Sequence, residues 1–304
     1  HTRFKCDWSS DVCSPDLDHR VNPTDTPTAW LPNVAGFPPL KSGEVRSHTW
    51  SQSQPRLTLR YKPTDALTLY GGYSKGFRSG GFNQSGVGAV AFANNILGVN
   101  DLFDAEVADT IEFGLKSKLS SRLSLDFSVY DTQAKGSYFF VFLAANSTQN
   151  LGNLKKVDYK GYELSLNARL TDTFNLVFGY GATDSEIKDA VDPITIGKQA
   201  PLVTHDTTNV GAHYRKPFGS NGLELELRAD YQRLGKTWWE PYNVTVRNPV
   251  NLLDLRAGVR GKDWSVTAWE RNANNTQYNA EFSPGGFVFK AKPVRWGIDY
   301  TRQF

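Results

Sequence analysis

From Arg56 to the end of the chain, apolar residues recur at every second position in short runs, which is the period of a β-strand and not of a helix. The clearest run sets Leu223, Leu225, Leu227, Ala229 and Tyr231 on one face, with Glu224, Glu226, Arg228, Asp230 and Gln232 on the other. Leu123, Leu125, Phe127 and Val129 oppose Ser124, Asp126, Ser128 and Tyr130 in the same way. Tyr162, Leu164, Leu166, Ala168 and Leu170 oppose Glu163, Ser165, Asn167 and Arg169. Each run predicts a strand with one apolar and one wet face. Weaker runs begin at Leu57, Leu67, Ile111, Phe174, Val210, Leu253, Trp264 and Val294, and bring the count to eleven strands.

The spacing between runs carries more information than the alternation. Connections at 63–66, 119–122, 171–173, 216–222 and 261–263 are short, whereas those between them are long and fall at the opposite end of the strands. A soluble sandwich has no reason to keep every turn at one end tight and every loop at the other end long. An outer-membrane β-barrel does, with short periplasmic turns and long extracellular loops. On that reading the apolar face meets lipid and the charged face lines a wet lumen. The strands must then close, because unpaired backbone groups in hydrocarbon cost several kcal/mol each.

Composition removes other classes. Lys+Arg 34 against Asp+Glu 31 gives a net charge of +3, too balanced for a protein that tracks nucleic-acid phosphates. No apolar stretch reaches about 18 residues, so a helical span is excluded, while a spanning strand needs only about 9 to 11 alternating residues. The histidines His1, His19, His48, His205 and His213 have no zinc-chelating spacing, and no nucleophile elbow is present, so neither a metal, a cofactor nor a catalytic residue is expected. The carboxylates Glu224, Glu226 and Asp230 are read as lumen-facing groups and not as a glycosidase pair.

The segment from Tyr61 to Tyr70, followed by Tyr73-Ser-Lys-Gly-Phe-Arg-Ser-Gly-Gly-Phe-Asn83, resembles the mid-barrel signature of TonB-dependent outer-membrane receptors. Further matches are Glu106 with Ile111-Glu-Phe-Gly-Leu-Lys-Ser117, Gly161-Tyr-Glu-Leu164, Arg271-Asn272 before Tyr278, and a terminal strand ending at Phe304. The resemblance covers residues 56–304 in order. It implies an all-β, antiparallel barrel of about 22 strands around an N-terminal plug, of which this chain carries the C-terminal half, about 11 strands. It implies uptake of a small nutrient such as an iron-siderophore, cobalamin or carbohydrate, driven by TonB acting on the missing plug. It also implies that Trp296, Ile298, Tyr300 and Phe304 form the C-terminal signal read by the barrel-assembly machinery, with Arg302 interrupting its apolar face. Two alternatives share parts of the pattern: a plug-less porin-like diffusion channel, and a soluble β-rich carbohydrate-binding or hydrolytic domain.

Four residues stand out as ligand-binding candidates. Arg78 has the charge for an anionic ligand or for a lumen carboxylate. Trp238, Trp239 and Tyr242 form an aromatic group in a long loop, suited to stacking on a ligand or to packing near the lipid headgroups. The glycines Gly76, Gly80 and Gly81 are expected where a strand becomes a loop, in backbone conformations closed to other residues. The apolar run Tyr138–Ala144 breaks the pattern of wet loops, and is read as a strand extension, a loop folded into the lumen, or an extra strand.

Residues 4–17 resemble translated sequencing-adapter DNA, which sets aside Cys6 and Cys13, and the chain lacks Met throughout. The expected organisation is a non-native segment over 1–17, an extracellular loop and strand start over 18–55, and a partial barrel without its plug over 56–304. Expected partners are outer-membrane lipid, the barrel-assembly machinery, TonB through the plug, and the nutrient.

Overall fold

The computed structural model describes residues 16–19, 45–83, 86–144, 148–219, 221–283 and 285–303. Phe304, both cysteines and most of the Pro-rich stretch after His19 lie outside the described residues. Eleven strands form one antiparallel sheet in which every strand pairs with its sequence neighbours. They are β1 Arg56–Thr64, β2 Leu67–Arg78, β3 Glu106–Ser120, β4 Leu123–Leu143, β5 Thr148–Arg169, β6 Phe174–Asp189, β7 Asp206–Phe218, β8 Leu223–Leu234, β9 Val250–Arg260, β10 Trp264–Arg271 and β11 Arg295–Arg302. The connections over 65–66, 121–122, 170–173, 219–222 and 261–263 are tight and lie at one end. Gly219 and Gly222 adopt φ values of 71° and 68°, a left-handed geometry that only glycine takes cheaply.

The registers confirm the two faces. Leu57 pairs with Tyr73 and Tyr73 with Ile111, all apolar or aromatic. Glu226 pairs with Arg215 on one side and Gly258 on the other, on the polar face. Residues from β3 through β9 line one cavity of about 950 Å³, so the wall curves around it. Among its lining groups are Lys118, Asn167, Asn209, Arg228 and Asp230, so the polar face is concave. The apolar face is correspondingly convex and bare: Leu59 is 69% exposed, Trp296 76% and Ile298 66%. A water-soluble sheet of this length would bury that face. The wall therefore lacks a core between its faces, as a lipid-facing barrel requires.

The buried core sits instead at the long-loop end. Helix α1, Val87–Ala93, places Val87, Val90 and Ala91 against Phe139, Leu143, Leu154, Val157 and Ile187. The run Tyr138–Ala144 resolves as the upper extension of β4, paired with the start of β5 out to Leu143 opposite Thr148. Lys135 pairs with Lys156 and Ser137 with Leu154, so the register runs unbroken past Gly136, whose φ of 72° is a left-handed geometry that glycine takes cheaply. Beyond Gly136, Ser137, Phe139 and Leu143 are buried, so the apolar run is absorbed into the core and not left exposed.

One expectation needs correction. Gly76, Gly80 and Gly81 are not among the glycines at positive φ. Gly80 is required for close approach: a Cβ there would lie 2.6 Å from the Trp50 ring.

Candidate functional site: the folded mouth of the barrel

Asn83 fastens the loop between β2 and β3 to the upper hairpin. Its amide donates to the carbonyls of Asn100 and Leu151, each at 2.7 Å, and its Oδ1 accepts from the Leu151 N–H at 2.9 Å. The side chain thus replaces a strand partner for Leu151. Asp101 accepts from the N–H groups of Gly86 and Gly88 at 2.7 and 2.8 Å, which fixes the start of α1.

A second folded unit comes from the connections β6–β7 and β8–β9. Thr237–Trp238 pairs with Val246–Arg247 as a small ribbon, and Thr204 bridges to Thr237. The turn between the ribbon strands is organised by Glu240, a buried carboxylate that accepts from the N–H groups of Tyr242, Val244 and Thr245 at 2.7 to 2.8 Å. Asn243 ties this turn to Gln199 in both directions, at 2.8 and 2.9 Å.

The four candidate residues occupy different settings within this arrangement. Arg78 ends β2, ion-pairs with Glu106 at 2.6 Å and lies 3.9 Å above the Tyr138 ring. Trp238 donates from Nε1 to Gln199 Oε1 at 2.9 Å while Lys236 Nζ sits 3.9 Å over its ring. Trp239 is buried and meets Phe282 edge-on at 6.3 Å. The Tyr242 hydroxyl donates to Asp192 Oδ2 at 3.0 Å, and burial, then Asp192, push its pKa up to about 12. Trp238, Trp239 and Tyr242 share one loop unit, while Arg78 stands with the β4 extension.

Arg247 was not visible as special in the sequence. Its guanidinium donates to Thr237 and Thr204 hydroxyls at 2.7 and 3.3 Å, its Nε is buried without a partner, and burial lowers its pKa. The terminal residues Trp296, Ile298 and Tyr300 share the convex face of β11, where all are exposed. The lumen carboxylates form a network: Glu226 meets His213 at 3.0 Å and Arg215 and Arg260 at 3.6 Å, and Asp230 accepts from Arg228 at 2.7 Å. No group of three or more metal-ligating side chains is assembled among the described residues.

An open antiparallel sheet with a concave polar face, a bare convex apolar face and folded loops at one end defines a segment of a large membrane barrel. The family described as "TonB dependent receptor-like, beta-barrel" matches residues 22–273, and the chain belongs to it. It is therefore a β-barrel of the Gram-negative outer membrane. The probable TonB-dependent siderophore receptor PiuA of Acinetobacter baumannii is 31% identical over 130 residues, which are 42% of this chain and 16% of that protein. The ferric yersiniabactin uptake receptor FyuA of Yersinia pestis superposes with a TM-score of 0.65 at 16% identity, covering 86% of this chain and 39% of that one. The copper transporter OprC superposes with a TM-score of 0.62 at 13% identity, covering 86% of this chain and 41% of that one. The chain thus spans about two fifths of the solved receptors' length.

Proposed function

We propose that the protein serves in TonB-dependent uptake of a scarce metal chelate, with an iron-siderophore as the first class to test. The observation that carries the reading is the pairing of a polar concave wall with loops folded over its outer end, which present aromatic and cationic groups. Relatives by sequence and fold are named as siderophore and copper transporters, which favours a metal chelate over a carbohydrate. On this reading Trp238, capped by Lys236, and Arg78, stacked on Tyr138, meet the cargo. Trp239 and Tyr242 hold the loop that carries Trp238. TonB would act through a plug, the barrel-assembly machinery would read Trp296, Ile298, Tyr300 and Phe304, and no step is enzymatic.

Uptake of radio-iron as a panel of ferric chelates, in cells with and without the coding sequence, tests the reading. Loss of uptake of one chelate on deletion, with equal loss on removal of TonB, is expected. Trp238→Ala is expected to raise the half-saturation concentration about tenfold, the loss of one good stacking contact. Uptake that persists without TonB would assign the barrel to passive diffusion instead.

A further inference from the structure

We infer that Leu202 determines specificity: it gives the cargo site at Trp238 an apolar edge, which favours chelates with an aryl or alkyl body over small hydroxycarboxylate chelates. The inference rests on the transport reading above and adds the chemical class of the cargo.

The backbone singles this residue out. Five described residues other than glycine have positive φ, and four of them are asparagines: Asn95, Asn243, Asn272 and Asn275. Asparagine visits the left-handed region readily. The fifth is Leu202, at φ 62°. It follows Pro201 in a turn, where proline presets the second position and a positive φ at the third asks for glycine. A leucine there disfavours the turn by about tenfold in population. Burial does not offset that cost, because Leu202 is 58% exposed.

The turn keeps its shape because both ends are pinned. Before it, the Ala200 N–H donates to Ser185 Oγ at 3.1 Å and the Gln199 N–H to Asn243 Oδ1 at 2.8 Å. After it, the Thr204 and Thr237 hydroxyls meet at 2.9 Å. Leu202 itself donates its N–H to the Trp238 carbonyl at 2.7 Å. Backbone strain that the surroundings impose in this way clusters at ligand clamps, where a side chain is presented to something outside the fold.

The neighbours identify what is presented to. Trp238 gives its carbonyl to Leu202 and its ring Nε1 to Gln199, so it lies along the turn from one end to the other. Asn243 binds Gln199 from the opposite loop, and the next residue, Val244, is 78% exposed. Leu202 and Val244 therefore stand on connections tied to the same Trp238–Gln199 pair, with the Lys236 cation over the indole ring. Cargo seated on Trp238 meets apolar carbon at its flanks and one positive charge, a combination suited to an anionic chelate with hydrocarbon edges. A citrate-type chelate presents oxygen throughout and leaves Leu202 in water.

The test uses the complete receptor in cells, with radio-iron supplied as a ferric tris-catecholate or as ferric citrate. The parent is expected to reach half-saturation at about tenfold lower concentration with the catecholate. Leu202→Gly and Leu202→Asn are both at ease at positive φ, and are expected to abolish that preference while amide protection over 199–204 stays at or above the parent's. Leu202→Met is expected to keep the preference. Preference retained in Leu202→Gly and Leu202→Asn, or equal weakening for both chelates, would overturn the role of Leu202. A parent that prefers citrate would overturn the apolar class and leave TonB-dependent uptake standing. A parent that takes up neither chelate would also overturn this inference, and the transport reading falls with it only if the rest of the chelate panel fails as well.

Discussion

Phe142, near the tip of the β4–β5 hairpin, meets Phe287 from the β10–β11 connection edge-on, with ring centroids 6.2 Å apart and planes at 78°. Along the sheet their strands are six positions apart, about 29 Å at the usual strand spacing of roughly 4.8 Å. The curvature of the wall and the loops at its end together close that distance through space. Gly286 makes the approach feasible, since a Cβ there would lie 2.8 Å from the Phe142 ring. Phe142→Ala is expected to loosen the ribbon of Asn279–Phe282 with Val288–Lys290, seen as faster amide exchange there, with β7 and β8 unchanged. A double-mutant cycle with Phe287→Ala should give a coupling of about 1 kcal/mol, in the range of aromatic pairs. Strictly additive effects would show that the rings touch without coupling the loops.

Asn83 is a single side chain on which the β2–β3 connection depends. It is 7% exposed and makes three hydrogen bonds, two of them to the Leu151 peptide. Asn83→Ala removes those bonds and takes the partner from one N–H, that of Leu151, and two carbonyls, those of Leu151 and Asn100, at a local cost of about 2 to 4 kcal/mol. Limited proteolysis within 79–105 should accelerate, while the tight turns stay resistant. Asn83→Asp keeps the acceptor and loses both donors, so it is expected to behave nearly as badly. Protection equal to the parent in both variants would mean that the α1 core alone holds the loop.

The wall was legible in the sequence and the mouth was not, for a physical reason. Leu223 to Gln232 alternate because one face meets lipid and the other water, and that two-residue period survives in any barrel of this kind. The tight turns are equally local, fixed by short chain and by glycines such as Gly222. Loop structure depends on partners far away in sequence. Asn83 is one polar residue among many until Leu151 is placed beside it, and Glu240 looks like a surface charge until the turn wraps three N–H groups around it. The aromatic triplet Trp238, Trp239 and Tyr242 signalled a structured loop. Its division into a cation-capped ring, a buried ring and a hydrogen-bonded phenol follows from Lys236, Phe282 and Asp192, which no spacing rule connects.

Tyr242 gives the loop unit a pH dependence at the alkaline end. Its folded pKa of about 12 lies above the ordinary tyrosine value of 10.0 because burial and the Asp192 carboxylate both disfavour the phenolate. With the folded state holding the proton more tightly, the stabilisation is fully present below pH 10 and is lost as pH rises toward about 12. Tyr242→Phe should therefore take one tyrosine's share from the ultraviolet tyrosinate signal that titrates near 12, leaving the signal near 10 unchanged. Tyr242→Phe should also flatten the alkaline loss of loop protection between those pH values. A loss of signal near pH 10 in the variant, with the component near 12 intact, would show that Tyr242 ionises like an exposed phenol.

The two outermost strands decide how the chain behaves when purified as it stands. β1 and β11 each pair on one side only among the described residues, and both carry bare convex faces. Ten antiparallel steps separate them, so they run in the same direction. Two upright copies placed around a common axis would bring β11 of one beside β1 of the other in parallel, which breaks the antiparallel ladder. Pairing β1 with β1 restores the ladder only if one copy is inverted, with its long loops at the other's tight-turn end. A second copy therefore cannot complete a regular barrel, and open edges invite irregular association. Residues 18–304 alone are expected to sediment as a broad, detergent-dependent distribution without a cooperative melt. A detergent-free monomer with a single sharp transition would contradict this, and would mean that the convex leucines and tryptophans find an internal partner.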